Sequence, residues 1–273
     1  MGTPIGNLGD LTRRAEATLA SVGVIVAEDT RRTRALLSHL GITGKTLVAL
    51  DANASARSVE DLVCRLVTGE TLALVTDAGT PSVSDPGTKL VRAAVARAIP
   101  IVTIPGPSAV TSAVAVSGLV DGPFLFLGFL PRRGEKRSRV VRRIRTSVEP
   151  VVFFEAPGRI RDTLEELACV MPERAACVLR ELTKLHEEVL RGTLRELSER
   201  EVTERGEFTV VVGGGAEEPE DDTLDVAAVI AERLEAGDSP RTVADDVASL
   251  SGKPRREIYA QVLDAARRRK KDD

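Results

Sequence analysis

The first hundred residues alternate short β-branched runs with longer amphipathic ones. Apolar runs at 22–27, 46–50, 71–76 and 99–104 have the length and the Val/Ile/Leu content of strands buried on both faces. Between them, residues 10–20, 30–40, 56–68 and 86–98 repeat their apolar positions at helical spacing. Strands alternating with helices of this length predict an α/β fold with a largely parallel sheet covered on both sides. A further helix at 108–116 is Ala/Val-rich all round and is expected to be buried.

After Gly118 the rhythm changes. Strand patterns at 124–129, 151–155, 176–180, 187–191 and 208–212 follow with fewer helices between them, and several connections are short enough for antiparallel pairing. The division predicted is an N-terminal α/β domain over 1–118 and a second α+β domain with a mixed sheet over 119–215. A basic helix at 135–146 falls in the second. The acidic, Pro-containing stretch 213–222 reads as a linker. Beyond it, 224–235, 240–250 and 254–268 read as the three helices of a small domain over 223–270, with Pro240 and Pro254 at first helical positions. Its helix-turn-helix shape is weak evidence for nucleic-acid binding.

Composition narrows the class. Hydrophobic residues make up 42%, enough for a full core. No apolar run approaches the ~20 residues of a membrane span, and the N-terminus lacks the basic and apolar regions of a secretory signal. Cys64, Cys169 and Cys177 are odd in number and lack C-x-x-C spacing, so they are expected to be buried, reduced thiols. The expectation is a cytoplasmic enzyme.

Net charge is only −3 but is unevenly spread. Arg132, Arg133, Lys136, Arg137, Arg139, Arg142, Arg143 and Arg145 crowd one segment with a single acid, Glu135, while 217–222 is acidic and 267–271 is a basic tail. A basic block in an acidic protein suits a polyanionic partner; a solubilising helix face uses the same residues. Aromatics are scarce, and Phe124, Phe126, Phe153, Phe154 and Phe208 fall in strand-like runs as core. A base-stacking platform is therefore disfavoured, and phosphate contacts would dominate any nucleic-acid binding.

Three Gly/Pro-rich loops stand at strand ends: 3–10 (TPIGNLGD), 76–87 (TDAGTPSVSDPG) and 104–109 (IPGPSA). Each alone is compatible with a plain turn. Three in succession mark a ligand cleft, because open α/β sheets bind outside the carboxyl ends of their strands. No loop carries G-x-G-x-x-G, G-x-x-x-x-G-K-[ST] or G-x-S-x-G, which disfavours nicotinamide, P-loop and serine-hydrolase chemistry. His39 and His186 are far apart and in no metal-binding spacing, so no metal is expected. Polar clusters remain at 28–34, 154–159 and 180–188.

Taken together, the segments TPIGNLGDLTRRA (3–15), AEDTRRTRALL (27–37), TDAGTPSVSDPG (76–87), IPGPSAVTSAVAVSGL (104–119), GFLPRR (128–133), FFEAPGRIRDTL (153–164) and RELTKLHEE (180–188) resemble the tetrapyrrole-methylase-like class of S-adenosylmethionine (SAM) methyltransferases. Within it they resemble the branch acting on small-subunit ribosomal RNA. The resemblance implies a homodimer with SAM in the interdomain cleft. It also implies methyl transfer to the ribose 2′-hydroxyl of a cytidine in the decoding region of 16S rRNA, within or outside the assembled 30S subunit. By position it implies SAM contacts from Pro4, Asp77, Ala78, Gly79, Pro105, Ser108, Phe154, Glu155 and Ala156.

For the proton of the hydroxyl, the candidates are Glu28, Asp29, Glu155, Glu181 and Lys184, with Glu28 and Lys184 favoured. Arg31, Arg32, Arg34, Arg159 and Arg180, extended by Arg132, Arg133, Lys136 and Arg137, are candidates to hold the RNA backbone. Two other readings stay open: a tetrapyrrole C-methyltransferase, which needs neither the basic block nor the helical appendage, and a non-catalytic rRNA-binding assembly factor, against which the intact loops argue.

Three departures from the family pattern stand out. HNE-like residues are replaced by Asp51-Ala52-Asn53-Ala54, and a histidine before Arg159 is replaced by Gly158. The family carries an apolar strand ahead of the TPIGN loop, whereas this sequence opens at the loop with Met1 at a valine-like position. The expectation is a misassigned start; without that strand the first sheet would lack a central member.

Overall fold

A computed structural model describes residues 1–51, 54–83, 87–215, 226–235, 238–251 and 254–272. The chain separates into two compact units, Met1–Gly215 and Ala216–Asp273.

The first unit opens with a three-stranded parallel sheet. β1 (Val24–Ala27) is central, between β2 (Thr46–Ala49) and β3 (Leu72–Val75). All four residues of β1 are buried, because helices cover both faces. Ile25 and Ala27 point to α1 (Arg13–Ser21) and α2 (Thr30–His39), where Leu19 and Leu37 meet them. Val26 points to the opposite face, against Val59, Leu62 and Val63 of α3 (Ala56–Val67) and Leu90 of α4 (Thr88–Ala96). This is the period-two alternation of a strand read by two helical layers. Thr12 and Ser55 start α1 and α3 by accepting hydrogen bonds from the N–H groups of Ala15 and Ser58, caps worth about 1 kcal/mol each.

The 99–104 run does not become a strand, which corrects the sequence expectation. Its β propensity finds no neighbouring strand, and Ile101 and Val102 are left exposed. Met1–Thr3 run between it and β3: the Met1 amino group donates to the Leu74 carbonyl, and Gly2 N–H donates to that of Ile104. Thr3 then exchanges both backbone hydrogen bonds with Gly79.

The second sheet is mixed and five-stranded. In spatial order it holds β4 (Leu125–Phe129), β5 (Val151–Glu155), β8 (Phe208–Val212), β6 (Ala175–Arg180) and β7 (Glu188–Thr193). Only the β4–β5 pair is parallel. One face packs on α6 (Glu135–Thr146), α7 (Ile160–Val170) and α8 (Leu194–Glu199), around the fully buried Phe153.

The other face is covered by α5 (Ala109–Ser117), through Val110 and Ala113 on Val152, Cys177 and Val211. The helix expected to be buried all round therefore has an outer side, where Val116 is exposed. The expectation for the cysteines is corrected too. Cys64 and Cys169 are exposed on α3 and α7, and only Cys177 is buried, with all three thiols free.

The second unit holds α9 (Val226–Glu235), α10 (Pro240–Ser251) and α11 (Arg255–Asp272), packed around Ile230, Leu234, Val243, Val247, Ile258 and Val262. The acidic residues 217–222 lie outside the described residues, as do Ala52 and Asn53. Among the described residues no helix is long and apolar enough to cross a membrane.

Candidate active site

All three Gly/Pro-rich loops converge within the first unit. Gly2 and Gly106 lie backbone against backbone, so that a Cβ on Gly2 would sit 2.7 Å from the Gly106 Cα. Only glycine permits that approach. With the Thr3–Gly79 exchange, it ties the first loop to the other two. Residues 84–86, near the end of the second loop, lie outside the described residues.

The loops border two cavities. The first, of about 310 Å³, is mostly apolar and falls in the range typical of small-ligand pockets. Ile5, Ala78, Gly79, Thr80, Val83, Ser108 and Ala109 form one wall. Phe129, residues 154–157 and residues 206–209 form the other. The β4–β5 register slips between Phe126 and Phe129, where Gly128 takes φ 65°, a left-handed conformation that suits glycine. Beyond the bulge Phe129 is 57% exposed at the cavity, its ring 5.3 Å from that of Phe154, which meets Phe126 edge-on at 5.1 Å.

The second cavity, of about 280 Å³, is lined by Thr3, Pro4, Leu8, Arg32, Thr33, Ala35, Leu36, Thr76 and Asp77. Of the residues implied as SAM contacts, Ala78, Gly79, Ser108, Phe154, Glu155 and Ala156 line the first cavity, whereas Pro4 and Asp77 line the second. Pro105 is exposed and lines neither. Sequence alone assigns no site role to Phe129 or residues 206–209, and Ile5 enters only as part of the first loop. Phe129 carried a usable signal, an aromatic residue after a glycine at a strand end, whereas 206–209 carried none.

Beside the second cavity lies an acidic cluster. The Asp77 carboxylate accepts from Asp29 N–H at 2.9 Å and pairs with Arg32 Nε at 3.5 Å; Asp77 N–H faces Glu28 Oε2 at 3.5 Å. Burial pushes the Glu28 carboxyl above its ordinary range, and the charge of Asp77 adds to the push. The Asp77 N–H and Arg32 oppose it and lose. Asp29 is held down at about 2 by its hydrogen bonds from Arg31, and its side chain caps α2.

The third cluster is of a different kind. Lys184 Nζ donates to Glu181 at 2.7 Å and to Glu207 at 3.1 Å, and its side chain lies against Gly6. Burial would lower its pKa, but the two carboxylates outweigh burial and hold it above the ordinary lysine value. Burial likewise raises Glu181, but Lys184 and the Glu207 N–H win and keep its carboxyl low. At neutral pH this is an ammonium–carboxylate pair, not a free base.

The candidate RNA-holding cations differ in exposure. Arg31, Arg32, Arg34, Arg132, Arg133 and Lys136 are exposed, as are Arg142, Arg143 and Arg145. Arg137, Arg159 and Arg180 have side chains only 11%, 23% and 15% exposed and are committed to Glu155 and Glu166, to Glu155, and to Glu188. At Gly158 an added Cβ would meet nothing within 4 Å, so that position does not require glycine. Among the described residues no group of three or more His, Cys, Asp or Glu side chains is arranged to hold a metal.

The first unit thus joins a doubly covered parallel sheet to a mixed five-stranded sheet, with loop-lined cavities. The family model for tetrapyrrole (corrin/porphyrin) methylases matches residues 1–198, and the chain belongs to that family. More particularly, it is 42% identical over 267 residues to the ribosomal RNA small subunit methyltransferase I of Xylella fastidiosa, covering 95% of this chain and 96% of that protein. With the protein of the same name from Halalkalibacterium halodurans it shares 39% identity over 266 residues, 95% and 92% of the two chains.

Solved structures agree on the fold. The methyltransferase CobJ superposes with a TM-score of 0.59 at 20% identity, covering 79% of this chain and 92% of CobJ. The uroporphyrin-III C-methyltransferase of Thermus thermophilus, solved with S-adenyl homocysteine, gives 0.54 at 18% identity over 78% and 95%.

Proposed function

We propose that this protein uses SAM to methylate small-subunit ribosomal RNA, at the ribose 2′-hydroxyl of a cytidine in the decoding region. The observation that carries the reading is the 310 Å³ cavity. Its apolar walls, exposed main chain and paired Phe129 and Phe154 rings suit an adenosine-bearing ligand, and two relatives matched along their whole length are named as rRNA methyltransferases. The tetrapyrrole alternative rests on structural neighbours no more than 20% identical.

SAM, when bound, supplies a sulfonium-activated methyl group. Residues 78–80, 108–109 and 154–157, with Phe129 and Phe154, would hold it. The methyl group would pass from the sulfonium, leaving a thioether, to the ribose oxygen, whose proton the protein must accept. Glu28 is assigned to take it: it follows β1 beside Asp77, which lines the second cavity with Arg32, whereas Asp29 is tied up by Arg31 and held low. Lys184 and Glu181 neutralise each other and serve instead to fix the 181–187 turn against the first loop.

The exposed cations Arg132, Arg133, Lys136, Arg142, Arg143 and Arg145 hold RNA phosphates, with Arg31, Arg32 and Arg34 nearer the acceptor. A cytoplasmic homodimer whose first unit comprises two lobes meeting near Gly118 belongs to the same proposal.

The test is incubation with labelled SAM and either 30S subunits or naked 16S rRNA, followed by mapping of the modified nucleotide. Label in one cytidine ribose is expected. Label in a base, in a tetrapyrrole precursor offered in parallel, or nowhere would overturn the reading.

A further inference from the structure

Glu155 ends β5 with its side chain wholly withdrawn from solvent, while its main chain lines the 310 Å³ cavity. Both carboxylate oxygens have partners. One oxygen accepts from Ala156 N–H at 2.7 Å and pairs with Arg159 Nη2 at 2.5 Å. The other accepts from the buried Thr163 hydroxyl at 2.7 Å and has Arg137 Nη1 at 3.8 Å.

Both guanidiniums then reach the segment that leaves the neighbouring strand β4. Arg159 donates to the Leu130 carbonyl at 3.1 Å, and Arg137 donates to that of Pro131 at 3.0 Å. Leu130 directly follows Phe129, so one carboxylate braces the ends of β4 and β5 together. Those ends carry the Phe129 and Phe154 rings, 5.3 Å apart at the cavity. The same Arg137 sits in α6 among the exposed cations and is anchored on its far side by Glu166 at 2.6 Å.

We propose that Glu155 is a positioning residue for SAM: through Arg159 and Arg137 it sets the spacing of the two aromatic residues and the direction of main chain 154–157, without touching the ligand through its own side chain. An ion pair enclosed among apolar residues is seldom a gain in stability over a packed apolar cluster. Its value here is geometric, because a carboxylate with four partners admits one arrangement of the strand ends.

This inference rests on the SAM reading of the cavity. SAM affinity is measured by calorimetry, and KM for SAM, KM for RNA and kcat by methyl-transfer assay. Glu155→Gln keeps the volume but turns an amide N–H₂ toward a guanidinium. It is expected to raise the Kd and KM for SAM about tenfold or more, the scale of one charge-assisted hydrogen bond, with KM for RNA unchanged. Glu166→Gln cuts the same Arg137 on the side away from the cavity and is expected to bind SAM like the parent.

A merely structural role would lower the active fraction, and with it apparent kcat, while leaving KM for SAM in place. That outcome, or equal SAM defects in both variants, overturns the proposal. Should Glu155→Gln fail to fold, Arg159→Lys, which keeps the charge but loses the fork to Glu155 and Leu130, must weaken SAM binding; unchanged affinity there also overturns it. If the parent protein binds no SAM, the failure belongs to the functional reading and not to the role of Glu155.

Discussion

The carboxylates of Glu28 and Glu155 both stand at strand ends, Glu28 beside the Asp77 cavity and Glu155 behind the 310 Å³ one, and their surroundings are opposite. Glu28 lies beside Asp77 and Asp29 with Arg32 as counter-charge, so acids outnumber the nearest cation. Glu155 is sealed between two guanidiniums, a hydroxyl and a backbone N–H. An under-compensated carboxylate holds its proton more tightly and can exchange it with a substrate. One enclosed among cations and hydrogen-bonded on both oxygens is withdrawn from chemistry and acts on geometry instead. The same residue type therefore serves two ends, and the difference lies in the partners.

That contrast can be broken experimentally. The largest effect is expected from Glu28→Gln, which should lower kcat about 10²–10⁴-fold, the usual share of a general base. Lys184→Met should do far less, and an equal or larger loss in that variant would transfer the role to Lys184. The sign with pH follows. Glu28 acts when ionised, so kcat/KM should rise with pH through a midpoint above the ordinary glutamate range. Asp77→Asn removes a like charge and should move that midpoint down, part of the way, because burial remains. A midpoint that stays put or rises would contradict this account.

Glu155→Ala addresses the other side of the comparison. It leaves the largely buried Arg159 without its carboxylate and takes one of the two from Arg137, and should lower unfolding free energy by about 3 kcal/mol, read from urea denaturation. Its kcat per folded molecule should fall less than that of Glu28→Gln.

Smaller again, replacing exposed Lys136 or Arg142 by Ala should weaken RNA binding modestly and cut the salt slope by ~0.7–0.9 per phosphate contact, with SAM affinity unchanged. The inward-facing Arg137 should behave differently, losing SAM affinity as well. Smallest of all, Gly158→His should leave stability within about 0.5 kcal/mol in thermal melts, since the position opens to free space.

Much of this was legible along the chain. The helix at Glu135–Thr146 and the strands Val151–Glu155 and Phe208–Val212 have the bounds their patterns predict, because apolar periodicity and short-range caps act within a few residues. The three loops and the family resemblance were readable for a related reason: chemistry that depends on main-chain approach leaves Gly and Pro at set positions. The 99–104 run is the counter-example. Its composition is that of a strand, but a strand needs a partner, and pairing is decided by what lies alongside.

By itself the sequence determined the alternation of elements, the change of architecture after Gly118, the family and the presence of a basic segment. Each is encoded locally, in periodicity or in contiguous motifs. Only the tertiary structure decided that α5, a neighbour of the first sheet in sequence, packs on the second. It also decided that Asp77 and Ala78, adjacent in the chain, line different cavities. The sorting of the cations was likewise tertiary, since Arg137 and Lys136 are equivalent in composition but only one faces Glu155. Charge is a property of the residue. Whether it is free to act depends on the desolvation and partners that packing imposes across tens of residues.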